Sequence, residues 1–257
     1  MENQENPKKV IFSVRGLRKV FPNNFEALSG LDLDIYEGET TLIAGANGSG
    51  KTLLMKILTG LTAPGEGEIQ YMGRPLAECK ELLGRSVGLV FQDADAQILG
   101  ETVEEDIRFG PENLSLGEDD IQTRLEETMA SLDLAEKRDF PSRHLSGGEK
   151  RRLATAGVLA MGCIAIIMDE PFANLDWPGV IQVLNVINIL KKEKKTIIIL
   201  THELEKVLAF ADRLVILSGG KVRDQGESEA VLNRLDPAWG VRDPRRNYRC
   251  AGDCTWL

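Results

Sequence analysis

The sequence has no run approaching the roughly 20 apolar residues that span a bilayer, and Met1 to Lys9 is polar with no signal-peptide core. The expectation is therefore a chain that stays in the cytoplasm. Cysteine is scarce: Cys79, Cys163, Cys250 and Cys254 are too few and too scattered for a disulfide framework. Cys250 and Cys254 stand four apart without a second pair of ligands, which reads as free thiols on a tail rather than a metal site. Basic charge is in the minority, 31 Lys and Arg against 40 Asp and Glu, for a net charge of −9. That balance argues against a broad nucleic-acid surface. There is no internal repeat and no low-complexity block, and 257 residues suffice for one large domain or two intimate lobes.

What is present centres on Gly45-Ala46-Asn47-Gly48-Ser49-Gly50-Lys51-Thr52. The apolar Thr41-Leu42-Ile43-Ala44 precedes it, and Leu54, Ile57, Leu58 and Leu61 follow at helical spacing, so the context is strand, glycine loop, helix. Glycines let successive backbone N–H groups converge on one anion, and the helix start adds its positive dipole end. Lys51 would reach the outer phosphates of a nucleotide and the Thr52 hydroxyl would ligate Mg²⁺.

Two further apolar runs end in chemistry. Ile164 to Met168 reads as a strand buried on both faces of a parallel sheet, and it terminates in Asp169-Glu170. Open α/β sheets place their chemistry at such carboxyl ends. Asp169 would hold Mg²⁺ through water, and Glu170 would orient and deprotonate an attacking water. Thr196 to Leu200 is the second such run, followed by His202, whose ring could reach a terminal phosphate; His144 reads as structural. Gln92, after the strand Val87 to Phe91, is either a solvated amide or an oxygen donor completing the Mg²⁺ shell.

Other features have two readings each. Phe21, before Pro22 and the Asn23-Asn24 turn, is either a core phenylalanine or a platform for an adenine ring. Ser146-Gly147-Gly148, opening a helix with a small face, is either an N-cap with a glycine hinge or a second anion site without a lysine. Residues 93 to 145 are the most polar part, with helices around Val103-Ile107 and Ile121-Leu132 separated by breaks at Gly110-Pro111 and Gly117. Arg213 to Ser218 and Lys221 to Gln225 read as a hairpin, Glu227 to Leu235 as a last helix, and the tail from Asp236 as loosely ordered, docked if at all through Trp239 or Trp256.

In order, GANGSGKT at 45–52, Gln92, LSGGE at 145–149, IAIIMDE at 164–170, Asn174-Leu175-Asp176 and His202 resemble the nucleotide-binding subunit of ATP-binding cassette (ABC) transporters, from about Val10 to Leu235. The resemblance implies an α/β fold of the P-loop NTPase type: a mainly parallel sheet core, an antiparallel β subdomain and an inserted helical lobe at about 93–160. On that division 1–9 is a flexible N-terminus, 10–235 the ATPase domain and 236–257 a tail. It implies ATP and Mg²⁺ as ligands, with two subunits closing over two nucleotides. By position, Lys51 and Thr52 hold phosphate and metal, Gln92 senses the γ-phosphate, Glu170 is the base and His202 the γ-phosphate switch. Asp176 would cross the dimer interface, and Ser146, Gly147 and Gly148 would complete the partner's site. An aromatic is usual at Phe21.

The stretch Phe91 to Gln97, with Thr102 to Ile107 and Phe109 to Leu114, is similar to the ATPase of energy-coupling factor importers, the cobalt and nickel type above all. Such an ATPase lies on the cytoplasmic face of the membrane against a transmembrane coupling subunit and a membrane substrate-binding subunit, beside a second ATPase subunit that is a copy or a paralogue, and contacts no nucleic acid. Glu149 departs from the usual glutamine, Ala94 from a common proline, and Trp177 from the usual proline. Soluble relatives that clamp nucleic acid in DNA repair or translation carry a long coiled coil or two cassettes, and this sequence has neither.

Overall fold

Alternation and continuous apolar runs sort the strands into two sheets. In the computed structural model, which describes residues 8–245, β1 (Val10–Val20) and β2 (Glu26–Tyr36) form an antiparallel pair. β3 (Thr40–Ala44) then enters the second sheet and leads into α1 (Lys51–Leu58). The chain returns to the first sheet with β4 (Glu66–Tyr71) and β5 (Arg74–Pro75), giving the order β2-β1-β4-β5. After α2 (Lys80–Ser86) and β6 (Val87–Val90) come three helices, α3 (Val103–Asn113), α4 (Glu118–Ser131) and α5 (Gly147–Ala160). The remainder is β7 (Ala165–Asp169), α6 (Trp177–Lys192), β8 (Thr196–Thr201), α7 (Leu204–Val207), β9 (Arg213–Ser218), β10 (Lys221–Glu227) and α8 (Ser228–Leu232).

The second sheet has the order β10-β9-β3-β8-β7-β6, with every pairing parallel except the β9–β10 hairpin. Its inner strands β3, β8 and β7 are buried along their whole length because both faces are covered, whereas the edge strand β10 is polar and partly exposed. Leu42, Ile166, Ile197 and Leu214 face a core shared with α3, α5 and α6, while Ile43, Ile167, Ile198 and Val215 face a second core against the first sheet. α1 lies in that second core, burying Leu54, Met55, Ile57 and Leu58. Replacing Leu54 by Ala would cost about 2–5 kcal/mol and loosen the helix that Lys51 opens.

Several expectations are corrected. No break falls at Gly110-Pro111: α3 runs on to Asn113 with Pro111 inside it. The proline sits near the helix end, where the Leu114 and Leu116 N–H groups donate to the Gly110 and Pro111 carbonyls, so only one helical bond is forfeited. Gly110 is needed for packing, since a Cβ there would meet Met161 at 2.5 Å. The last helix covers only Ser228–Leu232, shorter than 227–235. The tail is anchored as far as Arg245. Asp236 caps a single turn at Pro237–Trp239, Val241 is buried, and the Arg245 guanidinium donates to Glu229, Asn233 and the Leu232 carbonyl. Trp256, Cys250 and Cys254, with residues 1–7, lie outside the described residues; Lys9 pairs with Glu37 at 2.6 Å. Among the described residues no helix is long and apolar enough to cross a membrane.

Candidate nucleotide site

The glycine loop between β3 and α1 is shaped by close contacts. A Cβ on Gly45 would lie 2.2 Å from the Leu217 carbonyl oxygen, and Gly50 holds φ +107° against Leu28, a conformation that side chains resist. Gly50 is also the N-cap of α1 and offers no side-chain cap, which leaves the first N–H groups of the helix open. At that helix start Lys51 is almost fully buried, and its ammonium donates to the Gly45 and Ala46 carbonyls at 2.7 and 3.2 Å.

Parallel pairing of β3, β8 and β7 aligns their carboxyl ends, so the residues just beyond them converge on Lys51. Glu170 Oε1 is 3.2 Å from Lys51 Nζ. Its other oxygen faces His202, with Nδ1 at 3.0 Å and the backbone N–H at 3.3 Å. Glu170 holds φ +47°, left-handed for a non-glycine residue, and this turn takes its carboxylate back towards β8. Thr52 Oγ1 donates to Asp169 Oδ2 at 2.9 Å. Burial pushes the Asp169 carboxyl above its ordinary range, against the Thr52 hydrogen bond that lowers it. Strand β7 that supplies these acids is second from the sheet edge, not at its centre.

Two buried atoms beside the loop have no hydrogen-bond partner, Ser49 Oγ and Asp169 Oδ1. Buried polar groups are paired as a rule, so these two oxygens have bonding capacity left for a ligand. A magnesium ion fits here: hydroxyl, amide and carboxylate oxygens of Thr52, Gln92 and Asp169 are hard donors. Among the described residues there is no group of three or more His, Cys, Asp or Glu that could hold a metal without a ligand's help.

A cleft of about 320 Å³ joins Phe21, Phe25, Asn47, Gly48, Gly50, Lys51, Thr52, Gln92 and Glu170. Phe21 is exposed on its rim, so it is not a core phenylalanine. Phe25, exposed beside it, was not expected from the sequence; the Phe21 N–H donates to its carbonyl at 2.9 Å, closing the turn that carries both rings. Arg151 was also missed. Its buried guanidinium donates to the carbonyls of Pro171 (2.5 Å), Gln92 (2.9 Å) and Ala173 (3.4 Å), tying α5 to the loops that hold Gln92 and Glu170. Its spacing from the buried Ala154, Thr155 and Val158 was the one available signal, hidden in a Lys150-Arg151-Arg152 run that reads as surface charge.

Ser146, Gly147, Gly148 and Asp176 do not line this cleft. Ser146 caps α5 and Asp176 caps α6, accepting from the Gly179 N–H at 3.0 Å. The Ser146 cap is reciprocal, since Glu149 accepts from the Ser146 N–H at 2.8 Å. Lys137 pairs with Glu149, and with these hydrogen bonds holds its carboxyl down at about 2.

A model of the ABC transporter family matches residues 28–173. The chain is 38% identical over 223 residues to the energy-coupling factor transporter ATP-binding protein EcfA of Carboxydothermus hydrogenoformans, covering 86% of this chain and 82% of that one. It is 39% identical over 226 residues to the cobalt import ATP-binding protein CbiO of Rhodobacter capsulatus, covering 87% and 81%. The structure of cbiO1 from Clostridium perfringens, part of the ABC transporter complex cbiONQ, matches with a TM-score of 0.82 at 34% identity, over 88% of this chain and 92% of that one.

Proposed function

This chain belongs to the ABC transporter family as an ATP-binding subunit, and on that premise we propose that it hydrolyses ATP to power a membrane importer of the energy-coupling factor type, for a metal ion such as cobalt or nickel or for a vitamin. The observation that carries the catalytic part is the contact of Lys51, which opens the helix after the glycine loop, with Glu170 at 3.2 Å. The importer type rests on the energy-coupling factor and cobalt-import relatives.

In this reading adenine stacks on the phenyl rings of Phe21 and Phe25, since a π-face accepts any base. The phosphates enter the loop, where Lys51 exchanges the Gly45 and Ala46 carbonyls for phosphate oxygens. That exchange frees Glu170 Oε1 from its ion pair, while His202 keeps hold of Oε2. Glu170 then takes a proton from the water that attacks the γ-phosphorus as the bond to the β-phosphate oxygen breaks. Magnesium, held by Thr52, Asp169 and Gln92, would neutralise phosphate charge. Ser146, Gly147 and Gly148 at the start of α5 face the nucleotide of a second ATPase subunit, copy or paralogue, and Asp176 lies at that junction. Arg151 links the Gln92 loop to the loop after Glu170, a mechanical route by which γ-phosphate contact reaches the helices between β6 and β7 and the membrane partners there.

Such a subunit works on the cytoplasmic face of the membrane, with a transmembrane coupling subunit and a membrane substrate-binding subunit. Purification from detergent-solubilised membranes followed by mass measurement of the intact complex tests this. Two ATPase chains with integral membrane subunits are expected; recovery without any membrane protein would count against the importer.

A further inference from the structure

The start of α5 carries a carboxylate where the ATP sandwich needs a hydrogen-bond donor. Ser146 Oγ–H donates to Glu149 Oε2 at 2.8 Å, and the Ser146 N–H donates to the same oxygen at 2.8 Å. The Glu149 N–H returns to Ser146 Oγ at a long 3.4 Å. A hydroxyl has one proton and an ionised carboxylate only accepts, so that proton is committed to Glu149. A phosphate oxygen likewise only accepts. Carboxylate and phosphate therefore compete for the same proton.

A third group biases the contest. Lys137, in the single turn Ala135–Lys137 that follows α4, pairs with the other carboxylate oxygen, Oε1. Its ammonium is itself fixed 5.0 Å above the Phe140 ring. By neutralising Glu149, Lys137 weakens the hold of Oε2 on the serine and reduces the repulsion a phosphate meets on approach.

We propose that Glu149 is a latch on the Ser146 hydroxyl that sets how tightly the start of α5 grips the terminal phosphate of the nucleotide on the second subunit, and that Lys137 is the counter-charge that lets the latch open. The proposal rests on the reading of this chain as half of an ATP sandwich. With its carboxyl held at about 2, Glu149 stays charged at any working pH, so the latch answers to phosphate and not to protons. Glutamine at this position would keep the reciprocal cap, which accepts either residue. It would release the hydroxyl, because a neutral acceptor holds a donor roughly half as strongly as a charged one. Glu149 and Lys137 are thus positioning residues: they act on the nucleotide through Ser146.

The test compares the full chain with Glu149→Gln, Lys137→Met, the double variant and Glu149→Ala, by MgATP-dependent phosphate release and by thermal melting. Glu149→Gln should lower KM for ATP about fivefold, the scale of one net hydrogen bond, with the melting temperature lowered by no more than about 2–4 °C. Lys137→Met should raise KM by a similar factor, and should do nothing once Glu149 is glutamine. Glu149→Ala should lower KM as glutamine does although it melts earlier, which separates the freed hydroxyl from the lost cap. An unchanged KM in Glu149→Gln, or a Lys137→Met effect that persists beside glutamine, overturns the latch. A parent chain that neither hydrolyses ATP nor pairs in its presence overturns the sandwich reading instead, and that control is read before any variant.

Discussion

Beside the phosphate loop, Ser49 Oγ and Asp169 Oδ1 are buried without partners, Glu170 occupies left-handed backbone, and α1 begins with no side-chain cap. At the start of α5 the opposite holds: Ser146 and Glu149 cap each other and Lys137 neutralises the acid. The first region is under-satisfied, so its polar groups cost stability, and on the proposed reading nucleotide and magnesium would supply the missing partners. The second is satisfied by its own side chains and must give up a hydrogen bond to bind anything. Two helix starts of similar sequence grammar, each opened by glycines, would therefore bind an anion at different energetic cost.

The sharpest way to break the contrast is Lys51→Met. Its removal strips the loop of its cation and leaves Glu170 without its ion pair, so ATP turnover should fall by on the order of 10²–10³-fold or more, read as phosphate release. A loss under about tenfold would mean that the loop does not depend on that charge. Next in size are Phe21→Ala and Phe25→Ala. Each ring that stacks on adenine should contribute about 1–3 kcal/mol, seen as weaker binding in a fluorescent-nucleotide titration. If only one substitution weakens binding, the platform is a single ring and the other phenyl merely shapes the turn.

The smallest effect belongs to the capped region. Folding lowers the Glu149 carboxyl from 4.5 to about 2, so the folded state binds its proton less readily than the unfolded chain. Its contribution to stability is fully present above pH 4.5 and is lost as pH falls through about 2. The stability difference between wild type and Glu149→Gln should be flat near neutrality, about 1 kcal/mol or less, and should shrink in urea titrations between pH 5 and pH 3. A difference that grew on acidification would place the acid outside the ion pair.

Much of this contrast is legible in the residues. The runs at Ile164–Met168 and Thr196–Leu200 announce strands covered on both faces, and the GxxxxGKT spacing places an anion loop between strand and helix, because few other functions require that order. The sequence does not reveal which aromatic faces the cleft, since Phe21 and Phe25 differ only in how the turn between β1 and β2 closes. Nor does it separate Arg151 from its basic neighbours, whose burial depends on loops from β6 and β7 that meet only in three dimensions. Pro111 misleads for a related reason: its cost depends on how close the helix end lies, and α3 ends two residues later at Asn113. Glu149 is visible as an acid at a helix start, but its bond from the serine hydroxyl and its pairing with Lys137 appear only in the folded chain.

The most direct measurement is single-turnover hydrolysis of MgATP by Glu170→Gln, with nucleotide affinity measured on the same preparation. The expected result is binding close to wild type with hydrolysis slower by about 10²–10⁴-fold, since only proton removal from the attacking water is lost. Hydrolysis at the wild-type rate would contradict a base at the end of β7 and leave the Lys51–Glu170 pair a structural contact alone.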